Sequence, residues 1–164
     1  MKLGRRAFLG LGGLGLAGGA ALLWSRGEAA AVPKANASFQ LSDAEWRRRL
    51  SPEAYRVLRR AGTERAGSSP LDREHRRGTF VCAGCALPVF SSADKFDSGT
   101  GWPSFTRPLP GAVGTRADNT LLMRRTEVHC RRCGGHLGHV FDDGPRPTGQ
   151  RYCMNGVALR FVPA

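Results

Sequence analysis

Four of the chain's five cysteines fall into two C-x-x-C turns, Cys82-Ala-Gly-Cys85 and Cys130-Arg-Arg-Cys133, and no other feature constrains the fold as strongly. Each turn aims two thiolates at one point from a single tight loop. Two such turns complete the tetrahedral four-sulfur shell that holds structural Zn2+. A shell closed by four protein ligands leaves no position open for chemistry, so the expected metal is a staple. The alternative is two disulfides and a free thiol, as in many exported proteins, but the paired spacing argues for metal. The fifth cysteine, Cys153, stands in Arg151-Tyr152-Cys153-Met154-Asn155. A thiol outside the metal shell, with histidines and an amide nearby in sequence, is a candidate nucleophile.

The N-terminus bears on where this thiol works. Arg5-Arg6-Ala7-Phe8-Leu9 is a twin-arginine pattern, followed by 18 uncharged residues from Ala7 to Trp24 and by Ala29-Ala30-Ala31. Residues 1–31 are therefore read as a twin-arginine export signal. The apolar stretch is at the short edge of spanning length and holds six glycines, which suits a cleavable signal better than a permanent anchor. An uncleaved tether stays open as the second reading. The twin-arginine route carries folded cargo, so a metal site filled before export escapes oxidation. The expected location is periplasmic or otherwise extracytoplasmic, with membrane contact only through the signal.

Residues 32–41 read as a small-residue linker and residues 42–164 as one domain, expected to be a monomer. The chain carries a net charge of +12. Without the signal's charged groups, 21 positive and 12 negative groups remain. Nearly all the positive charge is arginine, scattered in pairs such as Arg59-Arg60 and Arg131-Arg132 with no aromatic run among them. That pattern indicates a solvated basic surface rather than a nucleic-acid site. It leaves acidic substrate proteins and anionic membrane surfaces open as partners.

Ser42-x-x-Glu45 is a capping box opening a helix that carries Trp46 and Leu50. Ser51-Pro52-Glu53 opens a second helix, with Tyr55, Val57 and Leu58 on its apolar side and Gly62 as its stop. From Thr79 onward the pattern changes to short apolar runs cut by Gly, Pro, Asp and Asn. Strands are expected at Thr79–Val81, Val89–Phe90, Thr120–Arg124, Glu127–His129, His139–Phe141, Arg151–Met154 and Ala158–Val162. The fold class is mainly β: an antiparallel core with two short N-terminal helices and a four-cysteine zinc site.

Gly101-Trp102-Pro103-Ser104-Phe105, His136-Leu137-Gly138-His139-Val140-Phe141 and Arg151-Tyr152-Cys153-Met154-Asn155 occur in this order. Together with Thr63-Glu64-Arg65 and both cysteine turns, they resemble the B-type methionine sulfoxide reductases from about Gln40 to Ala164. The resemblance implies that Cys153 is the catalytic cysteine, with His136, His139 and Asn155 as the polar residues around it. It further implies that Trp102 and Phe141 hold the substrate methyl group and that Cys82, Cys85, Cys130 and Cys133 bind zinc. The implied substrate is methionine-R-sulfoxide in proteins, and the implied reductant is a thioredoxin-like or other external thiol. Two departures are visible: Thr100 stands where many members carry a recycling cysteine, and Gly156 where a serine often follows the asparagine.

The residue types permit the chemistry independently. A thiolate attacks the electrophilic sulfoxide sulfur while an acid protonates its oxygen, leaving methionine and a cysteine sulfenic acid. His136 or His139 can favour the thiolate and deliver the proton, and Asn155 can orient water or a histidine. Taken singly, Trp102 and Phe141 read better as core residues than as a ligand wall, and the histidines are compatible with satisfied structural residues. At a spacing of three, both histidines share a helix face but not a strand face, so a turn at Gly138 is expected to bring them together. A non-catalytic zinc-binding module and a disulfide-stapled structural protein are the rival classes. Neither accounts for Cys153 and the histidine pair together.

Overall fold

In a computed structural model, residues 39–120 and 124–164 are described. The export-signal reading of residues 1–31 and most of the 32–41 linker lie outside them. Two short helices open the domain, α1 (Asp43–Arg49) and α2 (Pro52–Arg60). At α1 the expected capping box is formed: Ser42 accepts from the Glu45 N–H, and Glu45 accepts from the Ser42 N–H. Ser51 caps α2, with Pro52 in its first turn. Gly62 is not the left-handed stop that its position suggests. Ala61 takes that conformation, with φ of 51°, and the Gly62 N–H closes on the Arg56 carbonyl at 3.1 Å.

Among the described residues nine antiparallel strands follow: β1 (Gly78–Cys82), β2 (Pro88–Ser91), β3 (Lys95–Phe96), β4 (Ser104–Phe105), β5 (Val113–Asp118), β6 (Arg125–Cys130), β7 (His136–Phe141), β8 (Arg151–Met154) and β9 (Leu159–Pro163). They form a three-stranded sheet in the order β2-β1-β9 and a six-stranded sheet in the order β3-β4-β8-β7-β6-β5. Phe90 of β2 stacks on Phe105 of β4 at 4.4 Å, and Phe80 of β1 meets the same ring edge-on at 4.9 Å. These three fully buried rings join the two sheets. Of the expected strand at Thr120–Arg124, residues 121–123 lie outside the described residues. Thr120 and Arg124 are not in a strand, and the strand in this region is β5, upstream.

The helical pair packs over the two cysteine turns. Trp46 is buried, and three guanidiniums reach turn carbonyls: Arg49 to Gly84 at 2.8 Å, Arg59 to Cys133 at 3.0 Å and Arg132 to Cys85 at 3.1 Å. Arg59 also lies over the Trp46 ring, 4.7 Å from its centroid. The cysteine turns thereby anchor the helices as well as the strand ends.

Candidate active site

One row of side chains crosses the large sheet. Paired residues on neighbouring antiparallel strands share a face, and the register runs Arg116–Glu127–His139–Cys153–Ser104 from β5 through β6, β7 and β8 to β4. Cys153 is half-buried near the centre of this row. Together with His139, Trp102, Phe141 and Asn155 it lines a cleft of about 140 Å³. A larger cavity of about 800 Å³ near Glu53, Glu74 and Arg76 contains neither a thiol nor an imidazole.

The two histidines reach one face by a device other than the expected turn at Gly138. The β6–β7 register pairs Val128 with Gly138 but His129 with His136, so Leu137 is an extra residue, a β-bulge. The bulge rephases the strand, bringing the rings of His136 and His139 to 5.2 Å between centroids. Gly138 serves close approach instead. A Cβ there would lie 2.1 Å from the Cys153 carbonyl oxygen, so any side chain would push β8 and its thiol away.

His136 is not among the residues lining the cleft. It is buried behind His139, with Nδ1 2.8 Å from Glu127 Oε1, and borders a separate cavity of about 390 Å³ lined by Arg60, Arg116 and Asp118. Burial pushes Glu127 upward, but His136 and Arg116 outweigh it and hold the carboxyl at about 2. His139 contacts Asp118 through Nε2 at 2.8 Å, and Arg125 holds the same carboxylate at 2.8 Å. Burial nevertheless lowers the His139 pKa below its ordinary value, against the opposing pull of Asp118.

Asn155 sits at the cleft with its amide engaged by backbone. Its Oδ1 accepts from the Glu64 N–H at 2.9 Å, and its Nδ2 donates to the Leu137 carbonyl at 3.1 Å. Glu64 continues this tie, accepting from the N–H groups of Gly156 and Val157, while its carbonyl accepts from Trp102 Nε1 at 3.3 Å. The Thr63-Glu64 segment thus joins both sides of the cleft.

Burial pushes the Cys153 thiol up, and the Arg151 guanidinium and the hydroxyls of Thr100 and Ser104 oppose it. Arg151 is held by Asp143 at 2.7 and 2.9 Å and lies over the Phe141 ring at 4.6 Å. Its place two residues from Cys153 on one strand, hence on the same face, was the available signal. Asp118 gave none, because its approach to His139 depends on strand pairing.

The four remaining cysteines are buried and their sulfurs lie within 4.8 Å of one another. Cys82–Cys133 and Cys85–Cys130 are 3.7 and 3.5 Å apart, too far for disulfides. Tetrahedral thiolates around Zn2+ are separated by about 3.8 Å, so this donor set fits a structural metal site.

An antiparallel β domain with a four-sulfur site and a thiol–imidazole cleft has the outline of a thiol-dependent enzyme, and sequence comparison gives the family. The SelR domain matches residues 50–163. The chain is 56% identical over 123 residues to peptide methionine sulfoxide reductase MsrB of Thiobacillus denitrificans, covering 74% of this chain and 93% of that protein. It is 50% identical over 127 residues to the Leptospira interrogans MsrB, covering 77% and 97% respectively. The chloroplastic peptide methionine sulfoxide reductase B1 of Arabidopsis thaliana is 45% identical over 147 residues, 84% of this chain and 73% of that protein. The chain belongs to the B-type methionine sulfoxide reductases.

Proposed function

We propose that this chain reduces methionine-R-sulfoxide in peptides and proteins, with Cys153 as nucleophile and His139 as proton donor. The observation that carries the reading is the pairing of Cys153 with His139 across β7 and β8, in one cleft with Trp102 and Phe141. The aromatic faces give the S-methyl group an apolar wall, with a modest sulfur–aromatic attraction. The Cys153 thiolate attacks the sulfoxide sulfur and protonated His139 gives its proton to the oxygen. As the Sγ–sulfur bond forms, the substrate's sulfur–oxygen bond breaks and the protonated oxygen leaves as hydroxide. Hydroxide then adds to Sγ, the sulfur–sulfur bond breaks, methionine leaves reduced by two electrons, and Cys153 is left oxidised as sulfenic acid. Asn155 acts by tying the Thr63-Glu64 segment to β7. His136 supports His139 from behind.

An external thiol, from a thioredoxin-like protein or a small molecule, then attacks the sulfenic acid and releases water. A second thiol reduces the mixed disulfide and restores Cys153. Cys82, Cys85, Cys130 and Cys133 would hold Zn2+, which supplies stability and no chemistry in a closed four-sulfur shell. The twin-arginine pattern at Arg5-Arg6 supports repair outside the cytoplasm. The test is turnover of peptide-bound methionine sulfoxide with the R and S epimers separated. The R epimer should be consumed, the S epimer spared and Cys153→Ser inert. Equal turnover of both epimers would overturn the reading.

A further inference from the structure

The segment carrying Thr100 does more than lack a thiol. Ser98 Oγ lies 2.8 Å from Thr100 Oγ1 and 2.8 Å from Ser104 Oγ, so three hydroxyls form one connected cluster. Ser104 is fully buried and directly opposite Cys153 on the β4–β8 ladder. His139 pairs with Cys153 from β7, on the other side. The thiol therefore stands between an imidazole and a hydroxyl cluster.

Resting on the reading of Cys153 as the sulfur nucleophile, we propose that Ser98, Thr100 and Ser104 form a hydroxyl relay holding the Cys153 thiolate, with Thr100 as terminal donor to Sγ. Proton counting supports this direction. Each hydroxyl has one proton to give and two lone pairs to accept with. Ser98 receives the Thr100 backbone N–H at 3.5 Å and gives its own proton to Thr100 Oγ1, leaving the threonine proton for sulfur. The Ser104 proton has an alternative acceptor, the Trp102 carbonyl at 3.1 Å. While Cys153 is a thiol, Thr100 donates to Ser98, Ser98 to Ser104 and Ser104 to that carbonyl. Once the sulfur ionises the chain reverses, Ser104 donating to Ser98, Ser98 to Thr100 and Thr100 to Sγ. Burial raises the thiol pKa, and the Thr100 and Ser104 hydroxyls, alongside Arg151, act against it. Threonine in place of a recycling cysteine thus gives up internal disulfide formation and contributes a donor to the nucleophile.

The measurement is the pH dependence of Cys153 alkylation by iodoacetamide in the metal-loaded full chain, with mass spectrometry confirming that Cys153 alone is modified. Thr100→Val keeps the shape and removes the proton. It should raise the thiol pKa by about one unit and slow alkylation at neutral pH roughly tenfold. Thr100→Ser should restore the parent value. Ser98→Ala leaves the Thr100 hydroxyl but removes its donor, and should raise the pKa by about half a unit. If T100V loses its metal, the S98A shift decides the matter by itself. A thiol pKa unchanged in both T100V and S98A, or T100S shifted as far as T100V, would overturn the relay. Alkylation needs no sulfoxide, so the two readings fail separately. An inactive enzyme with the shifted pKa sinks the reductase reading, and an active one without it sinks the relay.

Discussion

At the residue scale, burial acts on the proposed reacting pair in opposite directions, lowering the pKa of His139 and raising that of Cys153. The resting pair is therefore a thiol beside a neutral imidazole. The reactive pair, thiolate beside imidazolium, has the same number of protons and forms when one proton moves from Sγ to the ring. Below the His139 pKa the pair holds one proton too many, and above the Cys153 pKa one too few. The predicted kcat/KM profile is a plateau from His139's pKa, below 6.5, to Cys153's, above 9.0, falling at both ends. His139→Gln should lower the rate at least about a hundredfold and leave a profile that climbs with pH as the thiolate fraction grows. Assays from about pH 5 to about pH 10 decide this. A steady fall through the neutral range would contradict it. The sequence alone could name Cys153 and His139 as reactive types. It could not reveal that Asp118 and Ser104 flank them, because those contacts depend on strand pairing.

At the element scale, legibility tracked how local each signal was. Both helix starts were readable because Ser42, Glu45, Ser51 and Pro52 act within one turn. Strands β3 and β4 hold two residues each, too short for an alternating pattern, and exist because β8 supplies a partner for β4. The bulge at Leu137 was invisible for the same reason, since register belongs to a pair of strands. Gly156 offers an element-scale test. A Cβ there would lie 2.0 Å from Ser69 Oγ and 2.3 Å from Ser69 Cβ, so the turn after Asn155 and the Ser69 segment fit only without a side chain. Gly156→Ala should destabilise the protein by about 1–3 kcal/mol. Ser69→Gly should recover most of that loss in the double variant. Denaturant midpoints of the four proteins in the cycle test the coupling. Additive losses, or an unperturbed G156A, would refute it.

At the scale of the whole molecule, the cysteine turns were the most legible feature, since C-x-x-C spacing itself brings two sulfurs together. Their coupling to α1 and α2 through Arg49 and Arg59, and to each other through Arg132, was not, because those arginines resemble surface charge in one dimension. A metal held there would fasten helices and strands to one point, and its binding energy, roughly 10 kcal/mol or more, would be folding energy. Replacing Cys82, Cys85, Cys130 or Cys133 by serine should abolish cooperative melting, as should stripping the metal with a strong chelator. Metal analysis and calorimetry on the same samples check this. Metal-free protein melting normally would contradict it.

The proposed mechanism turns on Cys153 alone carrying the oxidising equivalent until an external thiol removes it, because Thr100 supplies no sulfur and the other cysteines are buried together in the four-sulfur site. A single turnover puts this to the test: metal-loaded enzyme, one equivalent of methionine-R-sulfoxide, no reductant, then dimedone and mass spectrometry. One dimedone adduct is expected, on Cys153, with methionine formed in equal amount and the metal retained. A disulfide joining Cys153 to any other cysteine of the chain, in enzyme that remains active, would refute the one-cysteine mechanism.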